Sequence, residues 1–242
     1  MFELDIETEN QIKELIKKEI SKANNNTDNT HEMLTMKYKI LEPFNNIGCI
    51  DGINIFLAGP CPDSNLTKDC WRLDFISDVV YNIDKRLKLY NKSAMILHRD
   101  MIFYGLRDNS IFINFIVPTV SYNSKFDINT CDRYALKKYH RWTMNRIAKS
   151  DIIVFWIPRY LDKKEYALHT NIEVGTCLAL YPEKCLIDWP EDADKMTYIE
   201  DYIDYCKDQN SYNNYNFNHD LNNLAEITTD KLLSIIAKKK GE

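Results

Sequence analysis

An α/β fold, a doubly wound parallel sheet of about five strands with helices on its faces, is predicted by three observations. Short, largely apolar runs, such as residues 53–58 (INIFLA) and 152–157 (IIVFWI), alternate with longer segments of helical period. The runs are rich in β-branched and aromatic residues and too short for buried helices, as expected of strands covered on both faces. A chain breaker closes each one, Gly59-Pro60 after the first and Pro158 after the second.

Residues 7–23 place Ile12, Leu15, Ile16 and Ile20 at helical spacing among charges, an amphipathic helix that needs a partner surface. The Asn-rich stretch 24–30 ends it. Residues 1–50 therefore read as a helical extension and linker, packed on the domain or on another subunit. The α/β domain is expected over 51–207. Its first strand is 53–58, and the Gly59-Pro60 turn with Cys61, Pro62 and Asp63 follows. That turn is either an ordinary strand-to-helix connection or a close approach of backbone amides to a ligand. Trp71, Phe75, Ile76, Val79, Val80, Ile83 and Leu87 mark a helix over about 67–90. Trp71 stacks a base or joins the core; Arg72 contacts a ribose or phosphate or is a solvated helix charge.

Residues 91–125 are expected to be an insertion, with apolar runs at 94–97 and 111–117 around a polar turn. Asn129 or Thr130 is the expected cap of a helix carrying Tyr134, Leu136, Tyr139, Trp142 and Ile147, which returns to the 152–157 strand. After a polar loop, Thr170 or Asn171 is expected to cap a helix running to about Tyr181. A strand over 184–189 and a helix with Met196, Ile199, Tyr202 and Ile203 follow. The Tyr/Asn-rich stretch 208–223 reads as a mobile loop or lid. Thr228 or Thr229 is the expected cap of a last helix whose end, Lys238 to Lys240, suits the helix dipole.

Composition narrows the function classes. A hydrophobic content of 45% supports a real core, and a net charge of −5 gives no footprint for a nucleic-acid polymer. No stretch reaches the roughly 18 apolar residues of a membrane span, and the acidic start is unlike a secretory signal. Seven cysteines, without CxxC or zinc-finger spacing, read as reduced thiols of a cytoplasmic protein. No metal and no cofactor are expected.

Glu173 is the candidate for chemistry. Thr170-x-x-Glu173 fits a capping box, in which the glutamate merely caps its own helix. The alternative is a carboxylate near a helix start at the carboxyl end of a strand, held ionised by backbone amides and the helix dipole in a ligand crevice.

Three segments, in order, resemble the nucleoside 2-deoxyribosyltransferase-like family. SDIIVFWIPR followed by TNIEVG (residues 150–159 and 170–175) resembles its "aDvilFWvPr … TTNvEfG" signature. IFLAGPCPDSNLTKDCWR (55–72) resembles its opening "vFLAGPtpr … sWR", and CLIDWPEDADKMTYIEDYI (185–203) its closing segment. The resemblance spans residues 53–206 and implies a flavodoxin-like or Rossmann-like domain. It also implies N-glycosidic cleavage or 2-deoxyribosyl transfer, with Glu173 as nucleophile and a glycosyl-enzyme intermediate.

The family's acidic residue after the helix tryptophan is replaced here, since Thr143 follows Trp142. Glu165 or His169 is then the expected proton donor, with Asp132 or Tyr139 as alternatives from the neighbouring helix. Asp151 sits at the wrong end of its strand and reads as a turn residue. The residues expected around the substrate are Gly59, Pro60, Asp63, Trp71, Arg72, Trp142, Pro158, Arg159, Thr170 and Asn171. The expected partner is a small nucleoside or nucleotide, with no membrane, and a homo-oligomer is an expectation from the superfamily. An NAD or ADP-ribose glycohydrolase, or a non-catalytic nucleotide-binding module, are the alternatives.

Overall fold

A computed structural model of the chain describes residues 35–43, 51–60, 65–66, 71–87, 110–118, 120–121, 131–161, 167–209 and 217–241. The strands are β1 (Thr35–Leu41), β2 (Ile53–Ala58), β3 (Asn65–Leu66), β4 (Ser110–Ile116), β5 (Val120–Ser121), β6 (Ile152–Trp156) and β7 (Cys185–Asp188). The helices are α1 (Trp71–Leu87), α2 (Arg133–Lys149), α3 (Leu168–Leu180), α4 (Thr197–Asp208) and α5 (Leu221–Gly241). Five strands form one all-parallel sheet in the order β1-β4-β2-β6-β7, while β3 and β5 pair separately. This is the doubly wound α/β architecture that the strand–helix alternation predicts.

Strand residues alternate between two apolar layers because successive side chains point to opposite faces. Ile152, Val154 and Trp156 of β6 join the layer under α1 and α5. Ile153 and Phe155, with Ile157 just beyond the strand, join the layer under α2, α3 and α4. All five residues of β6 are buried, which explains its unbroken apolar sequence.

The order of the strands fixes where a ligand crevice lies. From β2 the chain runs to β4 on one side, then passes back across β2 to β6 and on to β7. Strand order reverses between β2 and β6, so the crevice beyond their carboxyl ends is the topological switch point. Gly59-Pro60 and the segment 157–159 lie there.

Several elements depart from the sequence reading. Thr35–Leu41, assigned to the extension, is an edge strand of the main sheet paired with β4. Its alternating sequence TMKYKIL buries Met36 and Tyr38 while Lys39 faces solvent, the pattern of a strand with one covered face. Within the expected insertion, Ser110–Ile116 is β4, an interior strand between β1 and β2. Asp132, not Asn129 or Thr130, caps α2, accepting the Ala135 amide at 2.8 Å. Thr228 and Thr229 are not caps: α5 begins at Leu221, and both are fully buried inside it. Their hydroxyls donate to the carbonyls of Leu224 and Ala225, each at 2.8 Å, which satisfies them mid-helix.

The expected lid is partly tied down. Phe217 packs on Trp189 with ring centroids 4.6 Å apart, and Asn218 donates its amide to Asp188. The predicted 7–23 helix, the 94–97 run and residues 210–216 lie outside the described residues. No helix among the described residues is long and apolar enough to cross a membrane.

Candidate active site

Arg72 organises the switch point. It sits in the first turn of α1 and is fully buried, whereas a solvated helix charge would be exposed. Its guanidinium donates to the Leu57 carbonyl at 3.0 Å, the Gly59 carbonyl at 2.6 Å and, more weakly, the Pro60 carbonyl at 3.5 Å. The Trp71 indole donates to the same Pro60 carbonyl at 3.2 Å. Together they lash the turn after β2 to the helix that follows it. Gly59 has φ +137°, and a Cβ there would collide with the Trp156 carbonyl oxygen at the end of β6. Only glycine permits β2 and β6 to close so tightly at this point. Trp71 takes the core alternative: it is buried, edge-on to Phe75 at 6.3 Å, with the Arg72 guanidinium 4.4 Å from its ring centroid.

Glu173 enters this crevice from α3. The helix starts at Leu168, with Ala167 in the left-handed conformation (φ 50°) at the N-cap and no side-chain cap. Thr170 and Asn171 therefore lie inside the helix and do not cap it, and Glu173 stands in its second turn. This geometry removes the capping-box reading. Among the described residues no donor hydrogen-bonds the carboxylate. Burial pushes its pKa up to about 7, and the Arg72 guanidinium opposes that rise. The expectation of a carboxylate held firmly ionised by the helix dipole is thus corrected: desolvation outweighs the favourable fields.

Arg159, just past β6, is 5% exposed. It donates to the Lys195 carbonyl at 2.9 Å and, through a short contact, to Asn171 Oδ1, while its Nε has no partner among the described residues. Burial lowers its pKa. Thr170 is buried and Pro158 half-buried. Asn171 faces away from Glu173, because two residues advance a helix by about 200°. It lines a cleft of about 280 Å³ between α3 and α4, with Val174, Gly175, Tyr198, Ile199 and Tyr202. That cleft and Glu173 lie on different sides of α3.

The proton-donor candidates separate clearly. His169 is exposed one helical turn before Glu173 and on the same side of α3. Its ring lies 5.4 Å from that of His140 on α2, a residue the sequence reading did not single out. His140 has its pKa lowered by burial and then by His169. Tyr139 donates its hydroxyl to the Pro118 carbonyl at 2.5 Å, and Asp132 is engaged as the α2 cap. Trp142 is half-buried against the α3 layer, and its indole nitrogen is buried without a partner among the described residues. Asp151 accepts the Asn54 amide at 2.8 Å at the amino ends of β2 and β6, as a turn residue. Asp63 and Glu165 lie outside the described residues.

No signal in the sequence pairs His140 with His169, since 29 positions separate them and α2 and α3 meet only in the folded chain. No group of three or more potential metal ligands occurs among the described residues. Neither a protein-family model nor a curated protein matches this chain. The architecture therefore defines the class: a doubly wound α/β protein with a desolvated, half-buried carboxyl and a buried guanidinium at its switch point.

Proposed function

We propose that the protein cleaves or exchanges the N-glycosidic bond of a nucleoside or nucleotide, with Glu173 as nucleophile. The observation that carries this reading is the Glu173 carboxyl itself, half-buried and largely desolvated at the switch point, bonded to no donor among the described residues and facing the charge of Arg72. A carboxylate tied into a structural network is a poor nucleophile; none of the described residues ties this one. With a pKa of about 7, a substantial fraction is ionised at neutral pH.

In the first step a Glu173 oxygen bonds to the anomeric carbon as the bond to the base nitrogen breaks. The electron pair of that bond leaves with the base, which takes a proton from a nearby acid. His169, one turn away on the same side of α3, is the group best placed to deliver it, and His140 supports its orientation. Water or a second base then attacks the same carbon and frees Glu173. Developing positive charge on the sugar favours an anion beneath it in the transition state.

Incubation with deoxynucleosides, deoxynucleotides and NAD, with and without an acceptor base, followed by mass spectrometry, tests the reading. Free or exchanged base is expected, together with a covalent adduct on Glu173 from a 2-fluoro-2-deoxy analogue. Base release that persists unchanged in Glu173→Gln would sink the nucleophile assignment. The Nε of buried Arg159, unpartnered among the described residues, favours, as a second reading, a substrate that carries phosphate, such as a nucleotide or NAD. Preference within the same panel decides between the two.

A further inference from the structure

We propose that the outer face of α2 binds the phosphate backbone of a single-stranded nucleic acid and carries its bases past the switch-point crevice. The first observation is charge. α2 holds six Lys and Arg and no Asp or Glu, although the chain as a whole is net −5. The whole-chain charge therefore conceals a local footprint of opposite sign. α1 and α4 place an acid in the first turn and bases in the last, as the helix dipole favours. α2 instead opens on Arg133, and the carboxylate of its cap, Asp132, is engaged with the Ala135 amide.

The second observation is how these cations are laid out. At about 100° and 1.5 Å per residue, Arg133, Tyr134, Lys137, Lys138 and Arg141 fall in one sector about 140° wide, and all five are exposed. Arg133, Lys137 and Arg141 recur at steps of about 6 Å, comparable to the spacing of successive phosphates along an extended strand. None of these three forms an ion pair among the described residues. Like charges four residues apart repel, so the helix gains nothing from this arrangement by itself. An external polyanion reverses the sign. Tyr134, 80% exposed, stands among the cations as a platform on which a base can stack.

The length of the line identifies its occupant. Its three cations span about 12 Å, more than the single phosphate of a mononucleotide can bridge. An anionic membrane does not fit, because α2 exposes no Leu, Ile, Phe or Trp to enter it. The basic sector also borders the candidate site. His140, within about 60° of Lys137 around the helix, is the residue whose ring meets that of His169. Tyr139, bonded to the Pro118 carbonyl beyond β4, fixes this half of α2 at the carboxyl end of the sheet. A strand laid on α2 therefore passes the mouth of the crevice that Glu173 enters. Strand binding stands on α2 alone; only the delivery of a base to Glu173 rests on the function proposed above.

Fluorescence anisotropy of the full chain with a labelled oligothymidylate of about 12 nucleotides tests the proposal. Saturable binding at micromolar concentration is expected near 50 mM salt. Three phosphate contacts at ~0.7 each give a log–log salt slope of about 2, so binding should be roughly 20-fold weaker near 200 mM. Lys137→Glu with Arg141→Glu is expected to weaken binding at least about 30-fold at the lower salt, with an unchanged circular dichroism spectrum. Tyr134→Ala is expected to weaken it about tenfold while leaving the salt slope as it was. Glu173→Gln should bind the strand as tightly as the unmodified chain, so loss of chemistry and loss of strand binding are read separately. No binding at about 100 μM chain overturns the proposal, and so does an affinity that the double charge reversal leaves unchanged. Thymidine monophosphate, or a polyglutamate of about 12 residues, bound as tightly as the oligonucleotide does the same.

Discussion

Two desolvated carboxyls stand at the carboxyl end of the sheet, and their surroundings differ. Asp188, the last residue of β7, is fully buried; its oxygens accept the Trp189 amide at 2.9 Å and the Asn218 amide at 3.4 Å. His219 adds a ring nitrogen 3.6 Å away and anchors itself to the Trp189 carbonyl at 3.0 Å. Burial raises the Asp188 pKa to about 6 while these bonds and His219 hold it down. Glu173 has the guanidinium of Arg72 as its opposing charge and no hydrogen-bond donor among the described residues, and it rises further, to about 7. Burial alone therefore does not mark a reactive group. What separates the two is whether described residues fill the acceptor sites: a satisfied carboxylate fastens the segment after β7, and one that none of them satisfies is left to engage a ligand.

The largest expected effect separates them directly. Glu173→Gln should lower base release by at least ~10³-fold, the scale of a nucleophile's loss, while leaving the thermal midpoint unchanged or higher. The reverse pattern is expected for Asp188→Ala: it strands the Trp189 and Asn218 amides, costs about 2–4 kcal/mol in urea unfolding and preserves turnover per folded molecule. Should Asp188→Ala abolish turnover in folded protein, the division between the two carboxyls fails.

Proton linkage gives the next effect. Each carboxyl holds its proton more tightly when folded than its ordinary value of 4.5 or 3.8 would allow unfolded. Stability from this source is full below those values and is lost as pH rises through about 7 for Glu173 and about 6 for Asp188. Unfolding free energy measured from about pH 4 to 8 should fall by on the order of 2–3 kcal/mol per group, and Glu173→Gln should abolish the part that ends highest. Activity runs the opposite way, since attack requires the ionised form, so kcat/KM should climb with pH up to about 7.

The smallest effect concerns Arg72. Replacing it with Met removes the charge that opposes the rise at Glu173, so the activity limb should move to higher pH by roughly half a unit to one unit. Turn stability falls as well, because the Leu57 and Gly59 carbonyls lose their donor. An unmoved limb would mean that Arg72 serves only the turn.

Local chemistry makes much of the frame legible in the sequence. The strand at Ile53–Ala58 matches its apolar run to the residue, and the run over 152–157 overshoots β6 (Ile152–Trp156) by one position. Both runs stand out because a strand buried on two faces must be nearly apolar throughout. α1 and α4 follow from helical spacing for the same kind of reason. β1 escapes a reading by pattern because an edge strand is half polar, and TMKYKIL looks like loop beside an Asn-rich stretch. The expected caps of α3 and α5 do not hold because Ser, Thr and Asn side chains bond equally well inside a helix or to a neighbouring segment, as Thr228 and Asn171 do.

The sequence by itself determined that a glutamate follows a buried strand by a fixed loop and helix, because side-chain period and chain breakers are local properties. Only tertiary structure decided what that glutamate is. Its pKa, the cation opposite it and the histidine pair beside it depend on α1, α2 and α3 meeting at one sheet edge. Desolvation and Coulomb energy act through space, and no spacing along a chain encodes that distance.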